Sequence, residues 1–165
     1  MKRIIVCFLC LTMLISHSGC RSVENGNTIS FYYCRTPEQY RYFDEDGVIC
    51  FETREILSHR NDLKYVLSLY LAGPLSEGLM IPFNKSTRLL SLTQKSDELI
   101  VELSDHTSSM TDAEYSLSCA ALTLTCAEIS SCQQFTINSG TRSVTMDPDS
   151  IILFDMLHQQ KNIGG

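Results

Sequence analysis

The 165-residue chain is short of basic charge, with 13 lysines and arginines against 19 aspartates and glutamates and a net charge of -6. That balance speaks against nucleic acid and anionic lipid headgroups as partners, because both select basic surfaces. No apolar run reaches the roughly 20 residues that span a bilayer. No internal repeat or low-complexity tract divides the chain. Motifs that carry chemistry are equally scarce. There is no Gly-x-Ser-x-Gly elbow, and no glycine cluster stands ahead of a helix with a lysine, as a phosphate loop requires. His59, His106 and His158 are scattered, without the paired spacing of a zinc site. "SHRND" (58–62) and "SDH" (104–106) hold triad residue types, but as neighbours in sequence they read as surface and capping residues. "DEDG" (44–47) has the acidity of a calcium loop, yet Tyr42 and Thr53 stand where its first and last carboxylate ligands belong, so it reads as an acidic turn. The expectation is a protein with no catalytic residue, no metal and no cofactor.

What is present begins at the amino terminus. Lys2 and Arg3 precede an apolar run, Ile4 to Ile15, of the length of a signal-peptide core. The run closes on "SHSGC", with the small residues Ser18 and Gly19 directly before Cys20. A peptidase that cuts between a small residue and a lipidated cysteine needs that arrangement. It resembles the lipobox of bacterial lipoproteins, with His17 where a branched apolar residue is usual; an ordinary secretory signal is the alternative. On the lipobox reading, residues 1–19 are removed, Cys20 carries the lipid, and residues 20–28 are a polar tether. Each buried acyl methylene contributes about 0.8 kcal/mol, so two or three palmitate-length chains anchor firmly where one binds reversibly. Cleavage takes away Lys2 and Arg3 and no acid, leaving the mature chain more acidic still. The expected location is the extracytoplasmic face of the cell membrane. Residues 29–146 are then one domain and 147–165 a carboxy-terminal tail.

Folding signals follow in order. "ISFYYC" (29–34) and "VICFETREI" (48–56) are rich in aromatic and β-branched residues and predict a hairpin with a long connection. Leu63, Val66, Leu67, Tyr70 and Leu71 fall at helical spacing, with Asn61 placed to cap and Gly73-Pro74 to stop the helix. "TRLLSL" (87–92) and "LIVEL" (99–103) flank the polar turn "TQKSDE" and predict a second hairpin. Thr111 and Glu114 form a capping box opening a helix to about Ile129. One of its faces carries Ala113, Leu117, Ala120, Ala121 and Leu124, the other Tyr115, Cys119, Leu122, Cys126 and Ile129, which predicts burial on more than one side. "QQFTINSG" (133–140) and "SVTM" (143–146) read as strands. The expected class is α+β, a small sheet with two helices packed on one face, its helix-strand-strand-helix-strand core preceded by a β-hairpin.

An exported domain invites disulfides. Beyond Cys20 stand Cys34, Cys50, Cys119, Cys126 and Cys132, an odd number. Cys119 and Cys126 lie about 10 Å apart along one helix at 1.5 Å per residue, too far to bond. Cys34 and Cys50 meet only if the first hairpin has a favourable register. Most therefore read as buried thiols acting as small hydrophobes.

The stretch "LYLAGPLSEGLMIPF" (69–83) raises the question of a ligand loop against a plain connection. Gly73 suits a left-handed helix end, Pro74 cannot continue the helix, and Gly78 and Pro82 set turns that aim Thr87 into the sheet. That reading makes Gly73, Pro74, Gly78 and Pro82 structural. The succession "LYLAGPLSEGLMIPF", "STRLLSL", "DELIVELSD", then the capped helix with "ALTLTCAEI", resembles the GerMN domain of sporulation and spore-germination lipoproteins and some other envelope proteins. The resemblance covers about Ile29 to Gly140. It implies a fold like the ring-building modules of envelope assemblies, although the better-known members carry two such domains and this chain has room for one. It also implies a non-enzymatic, lipid-anchored module that binds other cell-envelope proteins during sporulation or germination, with at most weak or membrane-dependent self-association. The alternative is an extracytoplasmic lipoprotein binding a small ligand such as a peptide or cell-wall fragment, and a small hydrolase is a third.

Overall fold

The structure, a computed structural model, describes residues 27–40 and 47–151. Cys20, the lipobox, Asp44 to Asp46 and His158 lie outside the described residues. In chain order the elements are β1 (Thr28–Cys34), a single helical turn α1 (Pro37–Tyr40), β2 (Ile49–Glu55), α2 (Leu63–Leu71), β3 (Leu89–Lys95), β4 (Glu98–Leu103), α3 (Asp112–Ile129), β5 (Gln134–Ser139) and β6 (Arg142–Met146). A 3-10 turn, Pro148–Ser150, packs on α3 within the segment expected to be tail.

β1 and β2 pair antiparallel, and β3-β4-β5-β6 form a four-stranded sheet in which only the β4–β5 pair is parallel. A parallel pair needs a crossover, and α3 supplies it. The architecture is the expected α+β one, with α2-β3-β4-α3-β5 as its core order. β4 and β5 alternate strictly. Leu99, Val101, Leu103, Phe135 and Ile137 are buried beneath the helices. Their neighbours Glu98, Ile100, Glu102, Thr136 and Asn138 lie on the opposite face, where Thr136 Oγ1 donates to Glu98 Oε1 at 2.6 Å and Asn138 Nδ2 to Glu102 Oε1 at 2.6 Å.

α3 is capped as expected. Thr111 Oγ1 accepts the Glu114 N–H at 3.2 Å and Glu114 Oε2 accepts the Thr111 N–H at 2.8 Å. The helix lies against the four-stranded sheet and also along β1, whose Tyr32 N–H donates to Thr125 Oγ1 at 2.9 Å. A helix flanked on two sides needs small or self-satisfied polar residues where backbones come close. Ser118, Ala120, Ala121 and Thr125 supply them, the Thr125 hydroxyl donating to the Ala121 carbonyl at 3.0 Å. The Tyr115–Cys126 face is buried as expected, whereas on the other face Ala113 and Leu117 remain exposed.

Two local expectations are corrected, and the open question of the Cys34–Cys50 register is answered. Asp62, not Asn61, caps α2, its Oδ1 accepting from the N–H groups of Lys64 and Tyr65; one residue closer to the helix, its carboxylate reaches both orphan donors. The second hairpin turns on Ser96-Asp97 alone, because β3 runs on through Lys95 to pair with Glu98. In the first hairpin Cys50 stands opposite Tyr33 and Cys34 opposite Ile49, so the two cysteines project to opposite faces.

Candidate functional site

Glu52 and Arg54, two residues apart in "FETRE", share one strand face, and β2 turns that face inward. The pair is bonded to itself, Arg54 Nε donating to Glu52 Oε1 at 2.7 Å, and its remaining capacity goes to the end of α2 and the loop after it. Arg54 Nη2 donates to the Gly73 carbonyl at 2.7 Å and to the Tyr33 hydroxyl at 3.0 Å, and Nη1 to the Leu69 carbonyl at 3.3 Å. Glu52 accepts the N–H of Leu75 at 3.0 Å and of Ser76 at 2.7 Å. The guanidinium lies 4.6 Å from the centre of the Phe31 ring, and Tyr33 stacks on Tyr70 with ring centres 4.9 Å apart. Burial opposes ionisation of Glu52, but the N–H groups of Leu75 and Ser76 together with Arg54 outweigh it and hold the carboxyl below its ordinary value.

The segment expected to be structural, Gly73 to Pro82, is thus held at both ends. Gly73 has φ +101°, and a Cβ there would stand 2.9 Å from Ile81 Cγ1. Its N–H donates to the Tyr70 carbonyl at 3.0 Å, Pro74 follows, and Glu52 takes the next two N–H groups. The Gly78 carbonyl accepts the Thr36 N–H at 2.8 Å, and the Met80 N–H donates to the Cys34 carbonyl at 2.8 Å, so residues 78–80 dock on the end of β1. Pro82 is buried. The N–H groups of Gly73, Leu75, Ser76 and Met80 are thus spent on the protein itself.

Glu52 and Arg54 are the residues sequence reading passed over. The available signal was their i, i+2 spacing, which puts opposite charges on one side of a strand; nothing local says that this side is the inner one.

Ser104 and His106 do meet, with Ser104 Oγ 2.9 Å from His106 Nδ1, but Asp105 is turned away against Gly140, where a Cβ would fall 2.5 Å from its Cγ. The serine hydroxyl also accepts the Arg88 N–H at 2.9 Å, and His106 is exposed, so this is a surface turn. His59 lies with its ring centre 5.3 Å from that of Tyr65, and Asp62 is the helix cap. Among the described residues no three His, Cys, Asp or Glu side chains are grouped to hold a metal, and no helix is long and apolar enough to cross a membrane.

Between the end of α2 and the segment 81–89 lies a groove of about 650 Å³, walled by Leu71, Ala72, Ile81 and Leu89 with Lys85 and Arg88 also lining it. Thr87, which lines the same groove, is 3% exposed and its hydroxyl has no hydrogen-bond partner among the described residues. A second groove, of about 470 Å³, runs between Pro37, Met80, Pro82, Met110 and Leu117.

No family model matches the sequence, and no curated protein matches it. Solved structures do. A candidate lipoprotein from Clostridium perfringens aligns over 75% of this chain and 89% of its own, at 21% identity and a TM-score of 0.47. The tandem GerMN domains of the sporulation protein GerM from Bacillus subtilis align over 70% of this chain at 15% identity and a TM-score of 0.48, and the alignment covers 39% of that longer chain. The first GerMN domain of the same protein, taken alone, aligns over 71% of this chain and 85% of its own at 15% identity and a TM-score of 0.53. With the α2-β3-β4-α3-β5 order and the clamped loop already placed, the chain has a GerMN-like fold.

Proposed function

We propose that this protein is a lipid-anchored envelope module, with Cys20 as its attachment point, that binds other envelope proteins in sporulation or germination and performs no chemistry. The observation that carries the reading is the likeness of its fold to the first GerMN domain of a sporulation protein. The lipobox-like "SHSGC" ahead of a polar tether supports the anchor. Residues 1–19 are the signal, 20–28 the tether, 29–146 the binding domain and 147–165 a tail. The outer face of the cell membrane is its place, reached through the lipid. An acidic domain repels its own copies in free solution, so self-association is confined to the membrane, where tethering concentrates it.

The test is twofold. Mass spectrometry of the mature amino terminus is expected to find lipid on Cys20, with Cys20→Ser releasing the protein from membranes. Crosslinking in sporulating cells is expected to capture envelope proteins. An unmodified Cys20 removes the anchor, and an absence of crosslinks to any envelope protein removes the binding role in favour of a small-ligand one.

A further inference from the structure

We propose that the groove between α2 and residues 81–89 receives the carboxyl-terminal end of a partner's polypeptide, its carboxylate on Lys85 and Arg88 and its last aliphatic side chain against Leu71, Ala72, Ile81 and Leu89. Charge is the first ground. In a chain of net charge -6, Lys85 and Arg88 line one groove, and among the described residues neither meets a carboxylate. Arg54 and Arg142, by contrast, are engaged by Glu52 and Asp112.

Geometry is the second. Arg88 Nη1 donates to the carbonyls of Lys85 at 2.9 Å and Thr87 at 3.0 Å, which fixes the guanidinium plane. Nε and Nη2 have no acceptor among the described residues, and they form the side of the guanidinium that gives a carboxylate two parallel bonds. The third ground is what the groove does not offer. The N–H groups of Ser86 and Thr87 are taken by Asn84, at 2.9 Å and 2.8 Å, and that of Arg88 by Ser104. A phosphate site draws on a cradle of free backbone N–H groups, whereas here one fork and one lysine suit a single negative charge. The apolar wall beside them suits an aliphatic side chain, and about 650 Å³ is within the range of ligand sites.

Naming a polypeptide as the source of the carboxylate rests on the reading of the domain as a protein-binding module. The experiment needs neither the anchor nor a native partner, so its failure leaves the Cys20 and crosslinking tests standing. A fluorescein-labelled octapeptide ending in Ala-Val-Leu, as the free acid and as the amide, is titrated by anisotropy against the full-length chain in detergent. The free acid is expected to bind at least tenfold more tightly than the amide. The double variant Lys85→Glu with Arg88→Glu, both exposed positions, is expected to lose that preference while melting at the wild-type temperature. Arg88→Lys, which keeps the charge and loses the fork, is expected to fall between them. Equal binding of acid and amide, no binding of either, or a double variant that binds as the wild type does overturns the proposal. Displacement of the peptide by hexanoate at equal concentration overturns the peptide source in favour of a free small carboxylate.

Discussion

In β4 and β5 every second side chain enters the core and is apolar, from Leu99 to Leu103 and from Phe135 to Ile137, while on the outward face Thr136 bonds Glu98 and Asn138 bonds Glu102 on either side of Ile100. In β2 the inward residues include Glu52 and Arg54, and the outward ones include Phe51, which is 55% exposed. The four-stranded sheet is held by area removed from water, about 25 cal/mol per Å². The hairpin instead uses a desolvated ion pair whose purpose is visible in its other bonds, to the Gly73 carbonyl and to the N–H groups of Leu75 and Ser76. A tight helix-ending turn exposes orphan backbone groups, and a buried fork and carboxylate satisfy them from the neighbouring strand. One region is a core, the other a clamp.

The largest effect is expected from breaking that clamp. Arg54→Ala leaves a carboxylate with side-chain exposure of only 8% without its cation and is expected to cost about 3–5 kcal/mol in denaturant unfolding. Buried ion pairs elsewhere can often be replaced by apolar residues without loss. Here the double change Glu52→Leu with Arg54→Met is expected to remain destabilising, because it orphans the loop groups as well; a neutral result would make the pair a mere substitute for packing. The same site carries a pH signature. Glu52 is held below its ordinary value of 4.5, so the folded state gains from its ionisation. That contribution is complete above the unfolded-chain value of 4.5 and is lost as pH falls through it toward the lower folded value. Glu52→Gln is expected to flatten the decline of stability below that pH, and an unchanged slope would place the acid sensitivity elsewhere.

A smaller loss is expected at the loop itself. Gly73→Ala puts a side chain at φ +101° and within 2.9 Å of Ile81 Cγ1. It is expected to cost about 1–3 kcal/mol, with Ile81→Val relieving only the contact and not the backbone strain. Smaller again is the cap of α3, a feature of the regular half of the molecule. Thr111→Ala is expected to cost about 1 kcal/mol, and Thr111→Ser to restore most of it. A cap that costs more than the loop glycine would reverse the contrast between the two regions.

The same contrast decides what could be read from sequence. β4, β5 and α3 announce themselves because period and polarity agree along each element, so Leu99, Val101, Leu103 and the Thr111–Glu114 box sit where expected. β2 was legible as a strand but not as a clamp. Its alternation does not say which face is inner, and the groups it satisfies lie some twenty residues on, a relation that only the fold creates. Asp62 took the cap from Asn61, and Lys95 joined β3, at the element ends where local signals are least decisive. The groove draws Leu71 and Ala72 from one side and Lys85 to Leu89 from the other, across the loop that separates them in sequence, so no local motif could reveal it.

The smallest effect is expected from reductant. Cys34 and Cys50 are one position out of register across β1–β2 and face opposite ways, and Cys119 and Cys126 are seven residues apart on one helix, about 10 Å. Cys34, Cys119, Cys126 and Cys132 are buried thiols. Burial pushes the Cys34 thiol up to about 11 and the Cys119 thiol up to about 12, so their reactive thiolates are scarce at neutral pH. Unfolding with and without reductant is therefore expected to give the same midpoint. A brief alkylation of the native protein is expected to label the half-buried Cys50 first among these five, and the others only as denaturant opens the core. A midpoint lowered by reductant would mean a crosslink among these five cysteines and would overturn their reading as free thiols.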